Sequence, residues 1–193
     1  MMSSTTRAFG SPLRYVQGQG EFGRLPLYTA TYGNACVIID GFLYQDLNAR
    51  LEKAYAESDA KFVSISFKGE CCDEEIERIS KIASENNAAV IVGAGGGKTM
   101  DTAKICADAM GLPVIIAPSS ASTDAPVSEI AVVYKPNGEY IGSRKMKKNA
   151  DLVLVDTEII VKVRAASSSP EWATRLPRGS KRRRARAPTH RTI

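Results

Sequence analysis

The apolar run Ala88-Ala-Val-Ile-Val92 ends in Gly93-Ala-Gly-Gly-Gly-Lys-Thr-Met-Asp-Thr-Ala-Lys104, and this junction constrains the fold more than any other segment. A buried strand breaks into four glycines within five positions and then starts a helix near Gly97. Glycine carries no Cβ, so main-chain N–H groups can approach a ligand closely and φ can turn positive at little cost. A helix that opens there adds unpaired N–H donors and the positive end of its dipole. Those features together describe an anion site, of the kind that takes phosphate or pyrophosphate. The spacing is not that of a P-loop, which needs glycine where Val92 stands, nor of a Rossmann fingerprint, which needs glycine at Lys98. A turn required only for tight strand–helix packing accounts for one or two glycines, but not for four with a lysine and an aspartate on the first helical turn.

Strand and helix patterns alternate on both sides of this junction. Cys36-Val-Ile-Ile39, Lys61–Phe67, Ala88–Val92 and Pro113–Ala117 read as strands. Between them lie helical patterns over Phe42–Glu57, from an Asp73 cap to Asn86-Asn87, and from Gly97 to Met110 with Gly111 as C-cap. Ile130–Tyr134, Lys135-Pro-Asn-Gly-Glu139 and Tyr140-Ile141 form a hairpin pattern, and Leu152–Val155 a last buried strand. The order predicts an α/β fold: a Rossmann-like parallel sheet with helices on both faces. Ligands of such sheets bind beyond the carboxyl ends of the strands, where strand order reverses. Asp40, the glycine loop and the loop Ser119–Asp124 all follow strand ends, so they are expected along one edge.

The formal net charge of +5 conceals two unlike parts. Residues 163–193 carry nine Lys/Arg against Glu171 alone, whereas residues 1–162 hold 17 basic and 20 acidic side chains. A slightly acidic domain over 1–162 is therefore expected, followed by a basic, disordered tail over 163–193. The run Lys181-Arg-Arg-Arg-Ala-Arg186 could contact polyanions in a salt-dependent way, but Trp172 is the only aromatic near it, and no specific nucleic-acid partner is expected. No apolar run has membrane-span length, and Met1–Phe9 lacks the apolar core of a signal peptide. Cys36, Cys71, Cys72 and Cys106 lack zinc spacing and read as reduced thiols, so a cytoplasmic protein is expected.

Several residues invite chemistry. Asp40 ends the first strand of the alternating unit, where a carboxylate accepts hydrogen bonds from an adenosine ribose diol and repels a 2′-phosphate, favouring NAD over NADP. The same residue could instead cap the helix from Phe42. Lys98 offers a point charge to phosphate, and Asp101 either meets a polar cofactor group or favours the helix dipole. Ser119-Ser-Ala-Ser-Thr-Asp124 is dense in hydroxyls opposite the glycine loop. The single histidine, His190, lies in the basic tail, so no catalytic triad can be drawn.

These motifs carry a resemblance. Gly95–Lys104, Ala117-Pro-Ser-Ser-Ala-Ser-Thr-Asp-Ala-Pro126 and Ser128–Tyr134 resemble bacterial glycerol dehydrogenases of the iron-containing, or group III, alcohol dehydrogenase family. Ser11–Gly18, Gly69-Glu-Cys71 and Val155-Asp-Thr157 extend the likeness over about residues 8 to 162. It implies the family's dehydroquinate synthase-like N-terminal domain and NAD-dependent oxidation of glycerol to dihydroxyacetone. Carried over by position, Asp40 holds the adenosine ribose, and Gly97, Lys98 and Asp101 hold the pyrophosphate side. Ser119, Ser122, Ser128, Ile130 and Tyr134 fall at other cofactor-contacting positions. Ser119 replaces an expected threonine and Ile130 an expected leucine. Asp124 falls at a substrate-contacting position, where it could accept hydrogen bonds from a small polyol. An alternative within the superfamily is a sugar-phosphate or glycerol-1-phosphate enzyme. Another class altogether is a non-catalytic fragment whose basic tail binds polyanions. The resemblance allows a homo-oligomer, an assembly not expected to persist in a fragment.

The resemblance stops at about Lys162. Family members continue into an all-helical C-terminal domain that supplies an aspartate and two histidines to a catalytic zinc or iron, which lowers the pKa of the substrate hydroxyl. From Val163 the sequence turns to Arg, Ser, Pro and Ala, without helical or strand periodicity, as in a GC-rich message read out of frame. Regrouped from each codon's third base, codons for Glu171-Trp-Ala173 give Met or Val and then an obligatory Gly. Their neighbours are compatible with Asp-Ala-Leu-Ala-Thr-Trp-Phe-Glu-Ala, similar to the family's next motif with its metal-binding aspartate. A frameshift near codon 163 is expected, leaving no metal ligand and no catalytic residue in this chain, and little or no turnover.

Overall fold

The computed structural model describes residues 10–168. Six strands form one parallel sheet: β1 (Arg14–Gly18), β2 (Ala35–Asp40), β3 (Phe62–Phe67), β4 (Val90–Gly95), β5 (Val114–Pro118) and β8 (Leu152–Asp156). The remaining two, β6 (Ile130–Tyr134) and β7 (Tyr140–Lys145), pair antiparallel as a separate hairpin, with a register irregularity at Val133/Tyr134. Helices α1 (Leu25–Thr29), α2 (Tyr44–Ala56), α3 (Asp73–Glu85), α4 (Gly97–Met110) and α5 (Thr157–Ser168) complete the domain.

Both sheet faces are covered, and strand alternation divides the core in two. Cys36, Ile38, Ile91, Ile116 and Val153 point to one face, where Ile76 and Ile79 of α3 and Met100 and Ala103 of α4 meet them. Val37, Ile39, Val92, Ile115 and Leu154 point to the other, against Leu47 and Leu51 of α2 and Ile159 of α5. Burial on both faces explains why the central strands read as continuous apolar runs rather than alternating ones.

The spatial order β1-β8-β5-β4-β2-β3 fixes where a ligand can enter. From β2 the chain steps outward to β3, then crosses back over β2 to β4 and continues in the opposite direction to β5 and β8. Strand order reverses between β2 and β4, and the connections diverge to leave a crevice beyond their carboxyl ends. Asp40 closes β2 and the glycine loop closes β4, so the reversal brings both to one place.

Two features differ from the sequence-based expectation. The edge strand β1 was not anticipated as a strand: Arg14-Tyr-Val-Gln-Gly18 is short and largely exposed, and it gains its place by parallel pairing with β8. The boundary at residue 162 also needs correction, because α5 runs through it to Ser168. Asp156 starts this helix by accepting the Glu158 N–H at 2.9 Å, and its other oxygen accepts the Phe22 N–H at 3.0 Å. Ile159 and Val163, four residues apart, then lie on the same core cluster. The expected disordered tail therefore does not begin at Val163. The rest of that segment, including Trp172, Lys181–Arg186 and His190, lies outside the described residues.

Candidate functional site

The site grows from the β4–α4 junction. Gly93 is packed so tightly that a Cβ there would lie 2.6 Å from the Ala103 Cβ, which makes it a packing residue. At Gly95 a Cβ would lie 2.8 Å from both the Asp40 Cβ and the Thr99 Oγ1, so its absence lets β2 and β4 close on one another. Gly97, the first residue of α4, has nothing within 4 Å of its Cβ position. The junction thus combines two glycines needed by the fold with one that faces open space. Around Gly97 the first-turn N–H groups, beyond reach of any intrahelical carbonyl, are left for a ligand.

Asp40 reaches across the strand-order reversal. Its Oδ2 accepts the Gly96 N–H at 3.4 Å and the Thr99 hydroxyl at 3.3 Å. The helix-cap alternative does not hold, because α2 begins after Leu43 and has no side-chain cap. Asp40 instead anchors the glycine loop through one oxygen and keeps the other available at the crevice. Thr99, which the sequence reading passed over, is the loop's partner in this contact; its place in Gly-Lys-Thr was the available signal.

Ser119 joins from the next strand. Its N–H donates to the Gly95 carbonyl at 2.9 Å, tying the serine-rich loop to the glycine loop, and its side chain is buried. Ser122 is exposed and its Oγ accepts from Ser120 at 2.8 Å. The Asp124 carbonyl accepts the N–H groups of Val127 and Ser128 at 2.9 and 3.0 Å, a turn that leaves its carboxylate exposed. Ser128 Oγ accepts the Ile130 N–H at 3.1 Å, and the Ile130 side chain is exposed.

Two expected cofactor contacts are otherwise engaged. Asp101 does not face the crevice: it is 6 % exposed, pairs with Lys104 at 2.8 Å and accepts the Val132 N–H at 3.0 Å. Lys104, equally buried, also donates to the carbonyls of Ala125 and Ser128. This buried pair binds the serine-rich loop and β6 to α4, so Asp101 shapes the site from behind. Lys98 is not a free point charge either. Both Glu70 carboxylate oxygens lie within 2.7 Å of its Nζ, which sits 4.6 Å from the centre of the Tyr134 ring. Glu70 was missed as a site residue, although the turn after β3 opens on the same sheet edge as the other loops.

A hollow of about 380 Å³ does not lie over the glycine loop but beside it. Tyr15, Val155 and Ile160 form its apolar wall, and Ser120, Ala121 and Thr123 its shared rim with the site. Donors and carboxylates converge in the adjacent crevice rather than in this apolar recess. No group of three or more His, Cys, Asp or Glu among the described residues could hold a metal ion. The four cysteines are free and buried, and no helix is long and apolar enough to cross a membrane among the described residues.

Comparison with known proteins agrees with this fold. The chain is 45 % identical over 163 residues to a glycerol dehydrogenase of Thermotoga maritima, covering 83 % of this chain and 43 % of that protein. It is 33 % identical over 156 residues to a glycolaldehyde reductase of Halobacterium salinarum, covering 80 % and 43 % respectively. A crystal structure from Sinorhizobium meliloti, described as a probable glycerol dehydrogenase, superposes with a TM-score of 0.73 at 43 % identity, over 80 % of this chain and 42 % of that one. The chain thus spans less than half the length of the curated relatives it matches. The model of the iron-containing alcohol dehydrogenases matches residues 12–157, most of what is described here, and the chain belongs to that family.

Proposed function

We propose that residues 10–168 form the dinucleotide-binding half of an NAD-dependent glycerol dehydrogenase that yields dihydroxyacetone. The observation that supports this most is the placement of Asp40 and the glycine loop on the two strands that flank the strand-order reversal, hydrogen-bonded to one another. The residues fit a dinucleotide. Gly97 leaves room at the first turn of α4 for a pyrophosphate, and the free oxygen of Asp40 can accept the ribose diol. Ser119 fixes the opposite wall through Gly95, while Ser122, Ser128, Ile130 and Tyr134 border it. When bound, the nicotinamide supplies hydride acceptance; the chain's own residues bind and orient.

Asp124 presents a carboxylate that the described residues leave unpaired, suited to hydroxyl donors and repelled by phosphate. This favours a neutral polyol over a sugar phosphate. The relative named glycolaldehyde reductase keeps a small hydroxyaldehyde as the second substrate to assay. No described residues fit the metal that the family name implies, so we derive no step through it. We also propose the frame change near codon 163 and, with it, a chain that binds cofactor but does not turn over. Calorimetric titration of the 193-residue chain with NAD and NADP tests the first part, with NAD binding expected to be the tighter. Absence of NAD binding overturns it. A glycerol oxidation assay with added zinc tests the second, where robust turnover is the contrary result; sequencing the gene decides the frame.

A further inference from the structure

The Lys98–Glu70 pair is unusual for its location. Lys98 stands on the first turn of α4, where an anion would be drawn, and Glu70 already supplies one. Its two oxygens lie 2.6 and 2.7 Å from Nζ. The pair is held from outside the glycine loop: Glu70 follows Gly69, which takes a positive φ of 104°, and Tyr134 is tied to the same turn by its N–H to the Cys71 carbonyl at 2.8 Å. The pair is also accessible, with Lys98 39 % and Glu70 28 % exposed in their side chains. An ion pair so open to water is exchangeable, because solvent screening leaves it only a modest strength. Released from Lys98, the Glu70 carboxylate keeps its contact with water and incurs little desolvation.

Resting on the cofactor reading above, we propose that Glu70 is a resident competitor for the cofactor pyrophosphate. It holds Lys98 at the helix N-terminus in the free protein and gives up the ammonium to the incoming anion. Glu70 is a positioning residue acting through Lys98, and it lowers cofactor affinity so that the dinucleotide can leave. A charge effect spread over the whole crevice would raise anion affinity whether or not Lys98 is present. Exchange at one ammonium requires it.

The test is a double-mutant cycle on the 193-residue chain, with ADP as the pyrophosphate probe and adenosine as its uncharged control. Glu70→Gln is expected to tighten ADP binding about three- to fivefold while leaving adenosine unchanged. The dependence of ADP affinity on salt should steepen with it. Glu70→Asp, too short to reach Nζ with both oxygens, should move affinity in the same direction. In the Lys98→Gln background the gain should vanish. An equal gain in both backgrounds, or no gain from either Glu70 variant while the wild type binds ADP, overturns the proposal. Failure of every variant to bind ADP overturns the cofactor reading as well, and the two failures are thereby distinguished.

Discussion

Thr99 donates its hydroxyl to Asp40 across the reversal in strand order, 3.3 Å from oxygen to oxygen. This bond joins the carboxylate at the end of β2 to the first turn of α4, so the acidic residue is both an anchor of the glycine loop and part of the crevice it lines. The two roles separate by substitution. Asp40→Asn keeps an acceptor oxygen but removes the charge, whereas Asp40→Ala removes both. The alanine variant should lose about 1.5 kcal/mol in urea denaturation, the low end for hydrogen bonds to a charged group because both contacts are long. The asparagine variant should stay near wild-type stability. Both variants should narrow the proposed preference for NAD over NADP, by about tenfold, since the negative charge that opposes a 2′-phosphate is gone. Unchanged discrimination in Asp40→Asn would show that the carboxylate does not face the ribose.

The glycines of the loop should divide in the same way. Gly93→Ala brings a methyl to 2.6 Å from the Ala103 Cβ, a clash between β4 and α4 that cannot relax by a rotamer change because alanine has none. A loss of about 1–3 kcal/mol is expected, as for other overpacked cores. Gly97→Ala meets nothing in the protein and restricts the unfolded chain, so it should leave stability unchanged or raise it by about 0.5 kcal/mol. Yet its methyl enters the space assigned to pyrophosphate, and NAD affinity should fall. Denaturation curves and titrations on the two variants should therefore move in opposite senses.

Lys104 and Asp101 form the buried ion pair that carries the serine-rich loop. Removing either partner strands a charge in the core, and Lys104→Met or Asp101→Asn should each cost about 3–5 kcal/mol. The double variant should recover part of that loss, because no charge remains unpaired. Proteolysis in the 119–130 loop should rise in the single variants, since the lysine also holds the Ala125 and Ser128 carbonyls. Losses in the double variant that equal the sum of the two single losses would show the pair to be uncoupled.

The legible parts of this protein were those written locally. Strand runs such as Cys36–Ile39, the αL cap at Gly111 and the Gly-Gly-Gly-Lys junction depend on neighbours in sequence, and the alternation of elements then dictates a parallel sheet with its ligand edge. Side-chain partnerships between distant elements were not legible. Nothing in the letters around Lys98 says that Glu70, 28 residues earlier, reaches it; that depends on how the β3–α3 turn meets α4. Asp101 looked like a first-turn acid open to ligand, but helix phase turns it toward β6 rather than the crevice. Arg14–Gly18 was obscured because an edge strand needs only one half-buried face, and α5 because its apolar pair straddles the point where composition changes.

The cysteines give a prediction that concerns the core alone. Burial pushes the Cys36 thiol up to about 12, with its buried neighbour Cys106 adding a smaller upward push. Cys106 is likewise raised to about 12 by burial, and Cys71 to about 11. An unfolded thiol ionises near pH 8.5, so below that both states are protonated and the buried cysteines contribute their full stabilisation. As pH rises from about 9 toward 12, the unfolded chain releases protons that the folded chain retains, and unfolding becomes progressively easier. Denaturation midpoints should therefore decline across that window, and a Cys36→Ala/Cys106→Ala variant should decline less steeply. Alkylation at pH 8 should spare Cys36 and Cys106 in the folded protein and reach them in urea, because the thiolate is the nucleophile and neither is accessible. Native-state labelling of Cys36 at the urea rate would mean that the sheet opens between β2 and its covering helices far more readily than this core permits.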